Sequence, residues 1–352
     1  MTQAREPVEG CTTRDIPSLR PWLPPLPITL DIHRQTWPIA GSFTISRGAK
    51  TEAVVVVAEL SDGAARGRGE CVPYARYGES VERVMAQIEA LRPQLTQGLT
   101  RAALQDAMPP GAARNALDCA FWDLEAKRSG RAVHELAGLE APRPRTTAFT
   151  ISLGAPLEMA AAAATSADRP LLKIKLGRPG DGERIAAVRA AAPKATLIVD
   201  ANEGWDEDNL AANLAACAKA GVVLVEQPLP EGKDDALSRV AHDVAVCADE
   251  SAHDLRSLPA LVGKYDAVNI KLDKAGGLTE ALAMVAQAQR LGLKIMAGCM
   301  VATSLAMAPA IAVAQFADFV DLDGPLLLKE DRAGGLKYSG SLVYPPAPSL
   351  WG

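Results

Sequence analysis

Charged side chains end a series of apolar segments in the second half of this 352-residue chain. Asp200, Glu226 and Asp249 end three consecutive segments, and Lys175 and Lys271 end the segments immediately before and after them. Three carboxylates in one apolar environment repel one another unless a hard divalent cation with oxygen ligands compensates their charge. If the fold brings these segments together, the pattern predicts one Mg²⁺ per subunit.

The two lysines are expected on opposite sides of this metal site because they precede and follow the acidic segments. A lysine acts as a base near neutral pH only when burial or neighbouring cations destabilise its ammonium form. The metal and Lys173 would supply such cations. With Mg²⁺ stabilising the enediolate of a carboxylate substrate and Lys175 and Lys271 on either face, the residues predict racemisation or epimerisation by 1,1-proton transfer. Solvated lysines and carboxylates that cap helices are the alternative interpretation of each residue taken singly.

The spacing of these segments indicates which elements position them. Apolar β-like runs recur about every 22 to 27 residues, and alanine-rich helical segments that stop at glycine separate them. Strand–helix alternation of this period predicts parallel strands joined by crossover helices. Seven or eight such units in about 175 residues favour a closed (β/α) barrel over an open sheet, and the functional residues of such a barrel lie at the carboxyl ends of its strands.

The first 145 residues have a different pattern. Residues 28–72 are rich in β-branched side chains and indicate strands, with AGSFTISRGAK (40–50) as a connecting loop and GRGE (67–70) as a turn. Helices are predicted from about residue 80, one capped by Ser80 and one ended by Gly130. Strands followed by a block of helices predict a small α+β domain.

The composition bears on the setting and the class of partner. A net charge of −5 gives no electrostatic case for nucleic acid or for an anionic membrane surface. The six cysteines are scattered without a CxxC pair, which argues against a disulfide framework or a zinc site and fits a reducing compartment. No stretch approaches the length of a membrane span and no signal-peptide core is visible, so we expect a cytoplasmic protein.

Five short motifs together resemble the enolase superfamily, in its muconate-lactonising subgroup. They are Lys173-Ile174-Lys175, Asp200-Ala201-Asn202, Glu226-Gln227-Pro228, Asp249-Glu250-Ser251 and Asn269-Ile270-Lys271. The resemblance covers about residues 28–345 and implies an α/β protein, a modified (β/α)₇β TIM barrel with an α+β capping domain. It also implies that the three carboxylates bind Mg²⁺, that Lys175 and Lys271 are the acid/base pair, and that Lys173 assists at the substrate carboxylate. Asn202 and Glu250 are expected to surround the metal ligands.

The resemblance also implies how the chain is divided. The capping domain with its substrate-specificity loops (28–145) is followed by the catalytic barrel (146–325) and by a C-terminal tail (326–352) that returns to the cap. The Pro-rich extension (1–27) is indicated by its composition and has no counterpart in the resemblance. A homo-oligomeric assembly is compatible with such a barrel, although no interface is visible in the sequence.

The substrate is indicated by residues outside the catalytic motifs. Asp321-Leu322-Asp323 is similar to the Asp-x-Asp motif of dipeptide epimerases, and this resemblance implies that the pair binds the ammonium group of a dipeptide. A structural turn or helix cap is the alternative. In segment 40–50, Arg47 or Lys50 could pair with a second substrate carboxylate, and Arg47 is favoured because guanidinium binds carboxylate bidentately. Cys299 is expected to line the mouth of the barrel.

The resemblance to dipeptide epimerases implies epimerisation at the Glu α-carbon of L-Ala-D/L-Glu, in the recycling of murein peptides. Epimerisation of other dipeptides is one alternative, and a lyase of the muconate cycloisomerase or o-succinylbenzoate synthase type is another. A non-catalytic barrel that serves as a binding module is an alternative of a different class.

Overall fold

A computed structural model describes residues 27–352 of the chain. The prediction of a Pro-rich extension at 1–27 therefore lies almost entirely outside the described residues. Within them, a three-stranded antiparallel sheet precedes an eight-stranded parallel sheet. The predicted combination of a modified (β/α)₇β barrel with an α+β cap is confirmed.

The antiparallel sheet of the cap contains β1 (Thr29–Ile45), β2 (Gly48–Ser61) and β3 (Arg66–Cys71). The prediction of a connecting loop at 40–50 is wrong, because β1 and β2 continue as a hairpin to a turn at residues 46–47. Phe43 pairs with Lys50 beyond an irregularity in register, so the alternating residues of this segment extend the sheet instead of leaving it.

The prediction of a turn at 67–70 is also wrong. Gly67 and Gly69 lie in β3, where a Cβ atom on either residue would come within 2.1 Å of a carbonyl oxygen of the long cap helix, that of Ala120 or Ala116. Glycine is required here by the close approach of a strand and a helix, which a single sequence cannot distinguish from a turn.

The cap helices follow β3. They are α1 (Val81–Glu89), α2 (Arg92–Thr96), α3 (Arg101–Ala107), α4 (Ala112–Ser129) and α5 (Val133–Leu136). Ser80 accepts a hydrogen bond from the Arg83 N–H, and Gly130 ends α4 in the left-handed conformation at φ 67°, so both predicted helix boundaries are confirmed. A short 3₁₀ helix, Ala75–Tyr77, precedes α1 and lies at the mouth of the barrel.

The parallel strands follow one another around the barrel in chain order. They are β5 (Phe149–Ile151), β6 (Leu171–Lys175), β7 (Thr196–Asp200), β8 (Val222–Glu226), β9 (Ala245–Ala248), β10 (Ala267–Ile270), β11 (Lys294–Ala297) and β12 (Phe319–Val320). The Ala148 N–H, just before β5, donates to the Val320 carbonyl at 2.8 Å, so the first and last strands meet.

Helices connect most of the barrel strands. The α-helices are α6 (Pro156–Thr165), α7 (Asp181–Ala191), α8 (Glu207–Lys219), α9 (Leu272–Ala275), α10 (Leu278–Arg290) and α11 (Ser304–Ala314). After β8 and β9 the connections contain 3₁₀ helices instead, at Asp235–Ser238 and Leu255–Leu261, and another follows β12 at Gly324–Leu327. A small sheet joins β4 (Arg145–Thr146), β13 (Tyr338–Ser339) and β14 (Leu342–Val343).

The two ends of the barrel differ in character. The amino-terminal end is filled by a buried apolar cluster that includes Leu171, Ile198, Leu224 and Met296. Buried charges concentrate at the carboxyl ends of the strands, beneath the hairpin of the cap. Among residues 27–352, no helix combines the length and the apolar character that crossing a membrane requires.

The last segment of the chain lies against the cap. The Arg68 guanidinium donates to the Leu350 carbonyl at 2.8 Å, and the Gly352 N–H donates to Asp123 Oδ1 at 2.7 Å. Arg332 donates to Gln35 of β1 and to Glu70 of β3. These contacts fix the cap relative to the barrel.

Candidate active site

Strand alternation directs Lys173 and Lys175 into the barrel. All five residues of β6 are buried. Leu172 and Ile174 pack in the main core cluster, whereas Leu171 belongs to the apolar cluster at the floor of the barrel. Because alternate side chains share a face, the two lysines lie above Leu171 on the inward face.

The three predicted metal ligands come together at the mouth. Asp200, Glu226 and Asp249 are almost completely buried, and one oxygen of each lies within 4.8 Å of the other two. Asn269 Nδ2 donates to Glu226 Oε1 at 2.7 Å, while Glu226 Oε2 accepts no aligned hydrogen bond within the described chain. Three converging carboxylates fit Mg²⁺, which prefers oxygen ligands.

The lysines bond to different members of this carboxylate triad. Lys175 Nζ lies 2.6 Å from Asp200 Oδ2, and Lys271 Nζ lies 2.7 Å from Asp249 Oδ2, so the two amines stand on either side of the strand that carries Glu226. Both line one large cavity between the barrel and the cap. Lys173 is more enclosed and its Nζ lies 2.6 Å from Glu226 Oε2.

The protonation of these groups depends on charge compensation. Burial lowers the pKa of Lys271, but the carboxylates of Asp249 and Glu226 outweigh it and raise the pKa well above its usual value. Burial and the neighbouring Asp200 carboxylate raise the pKa of Glu226. A divalent cation on the carboxylates would oppose both effects, because it favours the ionised carboxyl and the neutral amine.

Asp321 and Asp323 line the same cavity. Asp321 Oδ2 accepts a hydrogen bond from Lys173 Nζ at 2.8 Å, and its Oδ1 is buried without a partner in the described part of the chain. Asp323 Oδ2 accepts from the Thr150 N–H at 2.7 Å. Burial and the Asp321 carboxylate raise the pKa of Asp323 to about 7. The pair thus presents hydrogen-bond acceptors and negative charge to a ligand.

Arg47 lies at the mouth but has carboxylate partners of its own. Its guanidinium contacts Glu203 Oε2 at 3.0 Å and Glu250 Oε1 at 2.7 Å, and it donates to the Asn202 carbonyl. Burial lowers the pKa of Arg47, but the Glu250 carboxylate outweighs it and raises the pKa. In this structure Arg47 ties the tip of the cap hairpin to the loops of the barrel.

Lys50 lies three residues beyond Arg47 on the returning strand of the hairpin. Its Nζ is 5.0 Å from the centre of the Tyr74 ring, and the residue lines the cavity. Within residues 27–352 it forms no ion pair, in contrast to Arg47. Lys50 is therefore the hairpin cation with charge available to a ligand.

Cys299 also lines the cavity. Burial, and then the Asp321 and Asp323 carboxylates, raise the pKa of its thiol well above the usual value. A thiol in such surroundings is a poor nucleophile, so Cys299 contributes to the shape of the cavity.

Sequence reasoning missed residues that support the site. Glu203 joins Arg47 to Arg76, and its backbone, like those of Asn202 and Gln227, has positive φ. Gln227 Oε1 accepts from the Asp249 N–H at 2.8 Å. Lys274 Nζ lies 2.6 Å from Asp249 Oδ1. The only signal for Lys274 is its spacing of three residues from Lys271 within a buried run.

Two family models match the chain. The model for the mandelate racemase / muconate lactonizing enzyme N-terminal domain matches residues 27–138, and the enolase C-terminal domain-like model matches residues 158–347. Together they account for most of the described residues.

Relatives and solved structures of high similarity cover nearly the whole chain. L-Ala-D/L-Glu epimerase of Escherichia coli (strain K12) is 48% identical over 88% of this chain and 98% of its own length. N-acetyl-D-glutamate racemase of a Pseudoalteromonas species is 44% identical over 85% of this chain and 95% of its own length.

The crystal structure of an enolase family member from Agrobacterium tumefaciens, with homology to dipeptide epimerases, contains sodium and L-Ala-L-Glu with an ordered loop. It shares 57% identity and a TM-score of 0.91, and the match covers 93% of this chain and 100% of that one. A dipeptide epimerase from Cytophaga hutchinsonii, in complex with Mg and D-Ala-L-Val, shares 26% identity and a TM-score of 0.86 over 91% of this chain and 94% of that one.

Proposed function

The chain belongs to the enolase superfamily and is an isomerase, and we propose that it is a Mg²⁺-dependent dipeptide epimerase that inverts the Glu α-carbon of L-Ala-D/L-Glu. The observation that carries the proposal is the arrangement of Lys175 and Lys271 on opposite sides of a buried carboxylate triad. The murein peptide as the source of the substrate and a cytoplasmic setting are part of the same proposal.

Asp200, Glu226 and Asp249 would hold the metal. Bound there, Mg²⁺ supplies a positive charge that orients the substrate carboxylate and stabilises the negative charge left when the α-proton departs. The α-carbon then lies between the two lysines. One amine removes the proton and the opposite ammonium returns a proton to the other face, which inverts the centre. Lys173, buried beside Glu226 and Asp321, adds positive charge near the substrate carboxylate.

Asp321 and Asp323 support a substrate with a free amino end. The unpartnered Asp321 Oδ1 accepts a hydrogen bond from an ammonium group, and the two carboxylates supply the compensating charge. This role distinguishes the proposal from a lyase acting on a substrate without an amine. A D323N variant that retained full epimerase activity would remove this support.

The cation for the Glu side chain is proposed to be Lys50. Arg47 already bonds to Glu203 and Glu250, so recruiting it to a substrate would leave the buried Glu250 carboxylate without its ion-pair partner, whereas Glu203 would keep Arg76. Binding of a substrate carboxylate by Lys50 would cost only its contact with the Tyr74 ring. Both residues lie on the hairpin, so a dipeptide in the cavity would be covered by the strand that recognises its side chain.

A second candidate is the racemisation of N-acetyl-glutamate, favoured by the 44% identity to a racemase of that compound. N-acetyl-glutamate has the same reacting carbon and side chain but lacks an ammonium group for Asp321 and Asp323. The two candidates therefore differ in what these two carboxylates recognise.

The experiment compares both substrates in D₂O. The purified protein is incubated with Mg²⁺ and either L-Ala-L-Glu or N-acetyl-D-glutamate, and exchange of the α-proton is followed by NMR. We expect exchange and epimerisation of L-Ala-L-Glu, both abolished by chelation and restored by Mg²⁺. No exchange with the dipeptide would refute the proposal, and exchange with N-acetyl-D-glutamate alone would favour the second candidate.

A further inference from the structure

A fourth buried lysine lies next to the carboxylate triad and has no part in the proposed reaction. Among the described residues, the buried lysines are Lys173, Lys175, Lys271 and Lys274. Lys175 and Lys271 line the cavity, and Lys173 contacts Asp321 of its wall. Lys274 is 4% exposed and lies outside the cavity lining. A buried ammonium is costly unless the protein uses its charge or its hydrogen bonds, so this residue requires an explanation.

The position of Lys274 follows from the short helix α9. The Lys274 N–H donates to the Lys271 carbonyl at 3.1 Å, and the chain leaves the helix at Gly276 with φ 82°. Residues three apart in a helical turn share a face. Lys271 and Lys274 therefore both reach Asp249, Lys271 at Oδ2 (2.7 Å) and Lys274 at Oδ1 (2.6 Å). One helical turn thus places an amine on each oxygen of a single carboxylate.

The hydrogen bonds of Lys274 fix its ammonium group. Besides Asp249 Oδ1, it donates to the Asp249 carbonyl and, at 3.2 Å, to the Asn269 carbonyl. An ammonium group has three N–H donors, so all of them are committed to β10 and to the residue that follows β9. Because Lys274 is also screened from the cavity, it is not placed to exchange a proton with a substrate.

We propose that Lys274 is a positioning residue for the metal. By occupying Asp249 Oδ1, it sets the rotation of this carboxylate so that Oδ2 is directed to the cation. Its charge also adds to that of Lys173 in compensating the negative charge of the carboxylates. Lys271 is then free to leave Asp249 Oδ2 for the substrate. This inference rests on the proposed function, since it assumes that the triad binds Mg²⁺.

The test measures Mg²⁺ affinity instead of activity. A K274M variant keeps most of the side-chain volume but removes the charge and the donors. We expect its Mg²⁺ dissociation constant, from calorimetric titration, to rise about 10- to 100-fold, the usual effect of removing a group that holds a metal ligand. The increase in melting temperature on adding Mg²⁺ should shift to correspondingly higher concentration.

The matched control is K127M. Lys127 Nζ also lies 2.8 Å from a buried carboxylate, that of Asp123, but in helix α4 of the cap. The K127M substitution should leave the Mg²⁺ dissociation constant within about threefold of the wild type, because an ion pair in the cap is too distant to couple to the metal site. An equal effect of K127M and K274M would overturn the proposal.

A purely structural role gives a different result. In that case K274M lowers the melting temperature of the metal-free protein, while the Mg²⁺ dissociation constant stays at the wild-type value, and the proposal is wrong. If K274M does not fold, K274Q, which retains an N–H donor, replaces it and should also weaken Mg²⁺ binding. A wild-type protein that binds no Mg²⁺ would instead refute the metal site itself and, with it, the proposed function.

Discussion

The mouth of the barrel and the interface between the cap and the barrel both bury charged groups, but they satisfy them differently. At the interface, Glu70 Oε1 accepts from the Thr303 N–H at 2.9 Å, and Oε2 accepts from the Thr303 hydroxyl and from Arg332. Across the same interface, Asp118 Oδ2 accepts from the Thr279 N–H at 2.9 Å. These carboxylates have protein donors and need no further ligand.

At the mouth, by contrast, several buried polar atoms lack a hydrogen-bond partner among the described residues. Of nine buried side-chain N or O atoms without a hydrogen-bond partner in residues 27–352, five lie at the carboxyl ends of the barrel strands. They belong to Asn202, Glu226, Glu250, Asn269 and Asp321, and the Glu226 oxygen has an ion contact with Lys173 Nζ at 2.6 Å instead of a hydrogen bond. Buried polar groups are normally paired, so this excess marks a place where ligands complete the structure. The comparison separates carboxylates that hold the domains together from polar groups that, under the proposed function, bind a cation and a substrate.

The largest expected effect is at the mouth. Substituting either amine, in K175Q or K271Q, should slow epimerisation about 10³-fold, because a positioned acid/base group contributes on this order. Each variant should still exchange the α-proton of one epimer with D₂O, and the two variants should differ in which epimer. NMR of both epimers measures this, with melting temperature as the control for folding. Loss of exchange from the same epimer in both would contradict the placement on opposite faces.

A substitution at the interface between the cap and the barrel should lower the stability of the protein and leave catalysis unchanged. E70Q leaves Arg332 without its buried carboxylate partner and should lower the free energy of unfolding by about 3 kcal/mol. Urea denaturation measures this, and kcat/KM for L-Ala-L-Glu should stay close to the wild-type value below the melting transition. The exposed Arg66–Glu59 pair, at 2.9 Å, provides the control, since E59Q should cost less than about 1 kcal/mol. A catalytic defect in folded E70Q would remove the distinction between the two regions.

A smaller effect is expected at the hairpin, where the two regions meet. K50Q should raise KM for L-Ala-L-Glu about 10-fold, since it removes one ion pair worth about 1.4 kcal/mol, and should not change KM for L-Ala-L-Gln. R47Q should impair both substrates equally, because it breaks contacts to Glu203 and Glu250. Steady-state kinetics with the two dipeptides distinguishes these outcomes. Selective loss of the acidic substrate in R47Q would reverse our assignment.

The last expected effect concerns the pH dependence of stability at the interface alone. Asp273 accepts hydrogen bonds from the Val72 N–H and from Asn115, and burial raises its pKa to about 7, with Glu79 and Glu70 adding to the shift. Since the folded protein holds this proton more tightly than the unfolded chain, stability should fall as pH rises from about 4 to about 7. The change should be a few kcal/mol, because the shift is about three pKa units and each unit is worth about 1.4 kcal/mol. Urea denaturation with saturating Mg²⁺ should show it in the wild type and not in D273N.

The sequence predicted the barrel and the carboxylate triad because both depend on local, repeated signals. Strand period and strand-end charge are visible in a single chain, and parallel strands bring those ends together whatever the details of packing. The strand at 67–70 was mispredicted because glycine has several structural uses, and only the position of α4 shows which one applies. The hairpin at 40–50 was mispredicted because the irregularity in its register interrupts the strand pattern. The ion-pair partners of Arg47 could not be predicted either, because Glu203 and Glu250 lie far from it along the chain.

The long hairpin has a consequence for how such enzymes diversify. Its tip carries Arg47, in the turn that contacts the barrel loops, and Lys50, which we propose binds the substrate side chain. This tip contributes little to the barrel core. Mutation there can alter what is bound without disturbing the groups that move the proton. New specificities can therefore arise by editing a few consecutive codons while the reaction itself is inherited unchanged.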